Sequence, residues 1–308
     1  MGMTQRFWNI VLGLLLCVVI VLIGVMPSTA STEPVLDVVA SIAPLADMVY
    51  QVGGGRVAVH QIVPSGASPH TYEPIPSDLV SLSRADALFM IGLGYEKFID
   101  PLIQEAGTRI PVFEVNEGIP VIYDEKDHHH SQDDEKDHHH SQGNPHIWLS
   151  LRNAQLMVEQ IAEILGTLDP EGKAQYLQNA QEYQKELASL DEWFTEKSLT
   201  FTSREFVAAH AAWPYLAKDY GLHQAGSIER FPGREPTPRE IRDLIESIQA
   251  TGIRVVFAEP QLSQKAAVVL AEEAGVKMAI LDPLGSFPDK PYLTIMRKNL
   301  ETIAEVLR

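Results

Sequence analysis

Residues 169–199 read DPEGKAQYLQNAQEYQKELASLDEWFTEKSL. The stretch is one amphipathic helix in outline, opened by Asp169 with Pro170 at its first helical position, where a missing N–H costs nothing. Its pattern runs for about 27 residues, or about 40 Å of helix. No single domain face in a chain of 308 residues needs that length. The helix therefore reads as a rigid strut between two domains, with a second amphipathic helix, RNAQLMVEQIAEILGTL, just before it at 152–168.

Strands alternate with helices on both sides of the strut. Before it, strands are expected at 35–41, 57–63, 86–94 and 110–115, and helices at 44–54, 76–85 and 95–107. After it, strands are expected at 205–210, 223–229, 254–260 and 277–283. Helices fall between them at 213–221, 237–252 and 263–275, and a closing helix at 292–307. Thr237, Pro238 and Glu240 spell a capping box. This rhythm predicts an α/β protein of two similar lobes, each a mainly parallel sheet flanked by helices. The lobes are placed at 31–168 and 200–308, and the linking helix at 169–199.

The first thirty residues have a different character. Arg6 precedes an apolar run from Ile10 to Met26, and small residues follow at Ser28 and Ala30. That order predicts a signal peptide cut after Ala30, or an N-terminal anchor if it stays uncleaved. Leu16 occupies the place where a lipoprotein signal ahead of Cys17 needs a small residue. Cleavage removes the single cysteine, so an exported chain has no thiol and no disulfide, and any metal must be held by nitrogen and oxygen. The formal charge of −17 argues against nucleic acid and anionic lipid as partners, and is compatible with a cation.

Residues 124–143, DEKDHHHSQDDEKDHHHSQG, are ten residues written twice with one change. No apolar side chain is present to repay ordering, so a mobile loop is predicted. Its triplets His128, His129, His130 and His138, His139, His140 suit weak, exchangeable metal capture; a passive solubilising insert is the alternative.

Ligands of open α/β sheets sit beyond the carboxyl ends of strands. His70 follows the strand at 57–63, His146 follows the one at 110–115 and the repeat, His210 ends the strand at 205–210, and Asp282 ends the last strand. Together they make three nitrogens and one oxygen, a set suited to tetrahedral zinc. Manganese prefers more oxygen. Asp282 can instead act as a helix cap before the PLG at 283–285, and Glu73 or Glu259 can ease the remaining positive charge. His60 and His223 fit no ligand pattern, and Gly66, Pro69 and Trp213 read as residues that shape the loops.

The segments PSGASPHTYEP, NPHIWLS, AHAAWPYLAKDYGL, EPTPREI, FAEPQLS and LDPLG occur in this order over essentially the whole mature chain. In that order they resemble the metal-binding solute receptors of ABC importers, the group that includes zinc-uptake receptors of the ZnuA type. The resemblance implies two four-stranded lobes bridged by a long helix, with metal in the cleft between them. Residue by residue, it places the ligands at His70, His146, His210 and Asp282. It also implies zinc rather than manganese or iron, because the third position is His210 and not Glu. A charged, His-rich loop lies at the same place in the resembling receptors. The cysteine pair that some zinc receptors carry near the carboxyl end is absent here.

The expected function is a periplasmic, monomeric receptor that captures Zn²⁺ and delivers it to an inner-membrane ABC permease. Alternatives are a manganese or iron receptor of the same family and a zinc buffer or adhesin. A zinc hydrolase is disfavoured, since no HExxH motif places a general base.

Overall fold

The computed structural model describes residues 33–107, 109–123 and 143–308. The expected leader at 1–30 and the repeat, apart from Gly143, lie outside the described residues.

In the first half, β1 (Leu36–Ala40), β2 (Val57–Gln61), β3 (Ala87–Met90) and β4 (Val112–Glu114) form one sheet in the order β2-β1-β3-β4. All its pairings are parallel, for example Leu36 with Val57 and Leu88 with Val112. Helices α1 (Ala43–Gly53), α2 (Pro76–Arg84) and α3 (Ile99–Ala106) provide the crossovers. Val38, Val39 and Ala40 of β1 have no exposed surface, as expected for a central strand covered on both faces.

The second half repeats the plan. Strands β5 (Glu205–Ala208), β6 (His223–Ser227), β7 (Val255–Ala258) and β8 (Lys277–Ile280) pair in parallel in the order β6-β5-β7-β8. In each sheet the first strand lies between the second and the third, so chain order reverses there. That reversal opens a crevice at the strand ends.

Two helices separate the sheets, α4 (Leu151–Leu168) and α5 (Lys173–Ser198). Tyr176, Ala180, Tyr183, Leu187, Leu190 and Phe194 recur every three or four residues along α5, and all are buried. Helix α5 packs along α4 and also meets α1 of the first half and α9 (Tyr292–Leu307) of the second. The strut thus contributes to one apolar core that runs through both halves. A second, smaller cluster lies under α7 (Pro238–Thr251) and α8 (Lys265–Ala274); α6 (Pro214–Asp219) completes the helices described.

The two largest shifts of an expected start have visible causes. Helix α5 begins at Lys173 rather than Pro170. Asp169 does not cap it; its Oδ2 accepts from Arg56 Nε at 2.8 Å, Arg56 Nη2 at 2.7 Å and Tyr176 Oη at 2.6 Å, tying the α4–α5 turn to the first lobe. Helix α3 begins at Ile99 rather than Tyr95. Glu96 folds back to accept from the amides of Ile91 at 2.7 Å and Gly92 at 3.1 Å, holding residues 92–98 in a turn. The predicted capping box is present, with Thr237 N donating to Glu240 at 2.8 Å.

Polar bonds join the halves at the base of the cleft. Tyr292 N donates to Asp47 Oδ2 at 2.9 Å, Trp148 Nε1 donates to the Pro283 carbonyl at 2.8 Å, and Tyr292 Oη donates to the Trp148 carbonyl. Among the described residues no helix is long and apolar enough to cross a membrane.

Candidate metal centre

Three of the four expected residues meet. His146 Nε2 lies 3.1 Å from His70 Nε2 and 3.0 Å from His210 Nε2. The three ligand atoms all fall within 4.8 Å of one another. His70 rides on the loop after β2, His146 on the turn before α4, and His210 on the end of β5. His146 and His210 are 4% and 5% exposed, and His70 is partly open to solvent. Nitrogens at about 2.0–2.1 Å from a tetrahedral zinc stand about 3.3 Å apart, and the two separations from His146, 3.1 and 3.0 Å, come within a few tenths of an ångström of that.

Hydrogen bonding decides which nitrogen of each buried ring faces the cluster. Asn144 Oδ1 receives the His146 amide at 3.0 Å, and Asn144 Nδ2 donates to the Ala211 carbonyl at 2.6 Å. An amide N–H can only donate and a carbonyl can only accept, so the orientation of the Asn144 side chain is forced. The same Oδ1 is 3.0 Å from His146 Nδ1, which must therefore carry the proton. His210 Nδ1 stands 2.9 Å from Glu259 Oε2, with side-chain exposures of 7% and 1%. The two atoms are not aligned as a hydrogen bond, but the nearby carboxylate favours the Nδ1–H tautomer by charge. Both buried rings then present bare Nε2 lone pairs to each other at 3.0 Å. Two lone pairs cannot bond to one another, and a cation between them relieves the repulsion.

Two of the three rings resist taking up a proton as that cation. Burial, reinforced by the neighbouring His210, pulls the His70 imidazole down to about 3. Burial, with His210 and His70 beside it, holds His146 well below the ordinary imidazole range. Neutral imidazole is the metal-binding form.

The surroundings restrict the rings. Tyr95 meets His70 edge-on at 5.0 Å between centroids, and Trp148 lies 5.3 Å from His146. Trp213, expected to shape its loop, is fully buried and donates from Nε1 to Glu259 Oε1 at 3.4 Å. Gly233 closes the rim from the second lobe. Its φ is +85°, and a Cβ there would sit 2.5 Å from Thr71 Cγ2, beside His70. Glu229 holds this loop by accepting from Gly233 N at 2.7 Å, and burial raises its carboxyl.

The fourth expected residue stands apart. Asp282 is not in the cluster of ligand atoms and does not line the cavity that contains the three histidines. Its Oδ1 accepts from Gln261 Nε2 at 2.8 Å, Leu284 N at 3.2 Å and Gly285 N at 2.9 Å, so the carboxylate braces its own turn. His60 and His223 sit on exposed surface beside Asp37 and Glu205, away from the cluster. The six histidines of the repeat are outside the described residues.

Sequence reasoning passed over Asn144 and Gln261. Both were visible by position, Asn144 two residues before His146 and Gln261 two residues beyond Glu259 after β7. Neither side chain is a common metal ligand, and nothing else in the sequence singled them out.

Two parallel α/β lobes on a helical strut, with bare imidazole nitrogens gathered in the crevice, define a class: the metal-binding substrate receptors of ABC importers. The chain belongs to the ZnuA family, residues 38–306 matching the description "zinc-uptake complex component A periplasmic". It is 31% identical over 287 residues to the zinc-binding protein AdcA of Streptococcus pyogenes, covering 88% of this chain and 56% of that protein. It is 29% identical over 280 residues to the manganese-binding lipoprotein MntA of Halalkalibacterium halodurans, covering 88% of each. A crystal structure of ZnuA superposes with a TM-score of 0.78 at 30% identity, over 89% of this chain and 99% of that one. The chain spans about half the length of the AdcA relatives it matches. Members of the family are metal-binding transport receptors rather than enzymes, and zinc and manganese both occur among the relatives.

Proposed function

We propose that the chain is the zinc receptor of an ABC import system, exported to the periplasm, acting as a monomer, and delivering Zn²⁺ to a membrane permease. The observation that carries this reading is the convergence of three imidazole nitrogens with no carboxylate among them. Imidazole favours zinc, whereas manganese calls for oxygen-rich, higher coordination. His70, His146 and His210 are the proposed ligands. Glu259, buried beside His210, offsets part of the ion's charge. The repeat at 124–143 serves as a weak collector, since its stem is anchored near the site: Asn144 N donates to the Ile122 carbonyl at 2.7 Å, and Tyr215 Oη donates to the Asn144 carbonyl at 2.7 Å.

Direct competition tests the reading. The purified protein, offered equimolar Zn²⁺ and Mn²⁺ and then analysed for bound metal, retains zinc at one tight site. Retention of manganese in preference to zinc overturns the zinc reading in favour of the manganese receptor that the MntA relationship suggests.

A further inference from the structure

Three imidazoles leave a fourth position on a tetrahedral ion, and the structure offers an oxygen for it other than Asp282. Gln261 lines the same cavity as His70, His146 and His210. Its Nε2 donates to Asp282 Oδ1 at 2.8 Å. Turning the amide over would set its oxygen against a carboxylate, acceptor to acceptor, so the orientation is locked. Gln261 Oε1 is thereby held off Asp282. It is buried and has no hydrogen-bond partner among the described residues. A buried acceptor left unpaired is costly, and an atom kept in that state calls for a bound partner.

Asp282 Oδ1 is committed elsewhere. Besides its three accepted bonds at Oδ1, its own amide donates to Asn299 Oδ1 at 2.9 Å and its carbonyl accepts from Asn299 Nδ2 at 2.7 Å. Both ends of the residue are pinned, and its carboxylate faces the turn and Gln261. The acid after β8 and the amide after β7 thus meet through one hydrogen bond, with the amide nearer the histidines.

We propose that Gln261 Oε1 is the fourth donor to zinc, and that Asp282 acts behind it as a positioning residue that fixes the amide. This proposal rests on the zinc reading of the three-histidine site. A neutral amide oxygen binds zinc less strongly than a carboxylate, which suits a receptor that must give up its cargo. Glu259 and Asp282 then supply negative charge from behind the ligands rather than at the metal.

The test uses the full chain, with Zn²⁺ affinity read by chelator competition and Co²⁺ absorption reporting coordination directly. Gln261→Leu keeps the bulk and removes the oxygen; it weakens zinc about tenfold to a hundredfold and alters the cobalt spectrum. Asp282→Asn retains an oxygen for Gln261 and for the Leu284 and Gly285 amides, and leaves both readouts near wild type. Asp282→Ala releases the amide and behaves like Gln261→Leu, so recovery with Asn marks orientation rather than ligation. Unchanged zinc affinity and cobalt spectrum in Gln261→Leu overturn the proposal. So does a loss in Asp282→Asn that Gln261→Leu does not share, which makes Asp282 the ligand. His146→Ala is the control for the site itself: if it too leaves zinc binding intact, the three-histidine reading fails, and not only the role of Gln261.

Discussion

Replacing Asn144 by alanine separates the ligand His146 from what orients it. The Asn144 side chain makes three bonds: from the His146 amide and Nδ1 into Oδ1, each 3.0 Å, and from Nδ2 to the Ala211 carbonyl at 2.6 Å. At about 1 kcal/mol net for each bond, Asn144→Ala costs about 3 kcal/mol of stability. The consequence for metal is distinct. Without an acceptor at Nδ1, the buried ring can protonate at Nε2 and turn its N–H toward the cluster, so zinc affinity falls about tenfold to a hundredfold. Asn144→Asp divides the two effects. It keeps the acceptor for His146 but sets a carboxylate against the Ala211 carbonyl, so it loses stability while holding zinc at near wild-type affinity. Thermal melts of the metal-free protein and zinc titration against a chromophoric chelator read the two quantities separately. Wild-type zinc affinity in Asn144→Ala refutes the tautomer argument, whatever the melt shows.

Three further outcomes are expected. Glu96 accepts from Ser41 Oγ at 2.6 Å as well as from two amides, yet burial pushes its carboxyl up from 4.5 to about 7. The folded state therefore holds this proton more tightly than the unfolded chain does. The associated stability, on the order of 3 kcal/mol, is full below pH 4.5 and lost as pH rises through 7; urea midpoints at pH 5 and 8 differ less in Glu96→Gln than in wild type. Phe194→Ala empties a fully buried position on α5 that meets Tyr220 edge-on at 4.6 Å, lowering stability by about 3–5 kcal/mol with little change in the urea m-value. Excising residues 124–142 leaves the Ile122–Asn144 bond to close the stem; calorimetry then shows the tight zinc site retained and fewer weakly bound ions, and loss of the tight site means that the repeat supplies a primary ligand.

Much of this protein is legible in one dimension because its signals are local. An apolar run such as VLDVVA at 35–40, followed by Pro44 and a helical pattern, specifies β1 and α1 without reference to anything distant. The α5 stripe and the Thr237 capping box are equally self-contained. Strand ends are local as well, so His70, His146 and His210 could be singled out before any strand was placed in a sheet. The offsets at Asp169 and Tyr95 arise where a local signal loses to a distant partner or a fold-back, the Arg56 guanidinium in one case and the Ile91 and Gly92 amides in the other. Only the tertiary structure decided what those ends do together. His146 is separated by 76 residues from His70 and by 64 from His210, and the two sheets must form and dock before their Nε2 atoms lie 3.1 and 3.0 Å apart. Sequence chemistry favours Asp282 over Gln261 as an oxygen donor, because a carboxylate is the stronger ligand. What the sequence does not show is that the amides of Leu284 and Gly285 and the side chain of Gln261 all donate to one oxygen of that carboxylate, with Gln261 lining the cavity of the histidines. Orientation set by hydrogen bonds across 21 residues of chain has no periodicity to betray it.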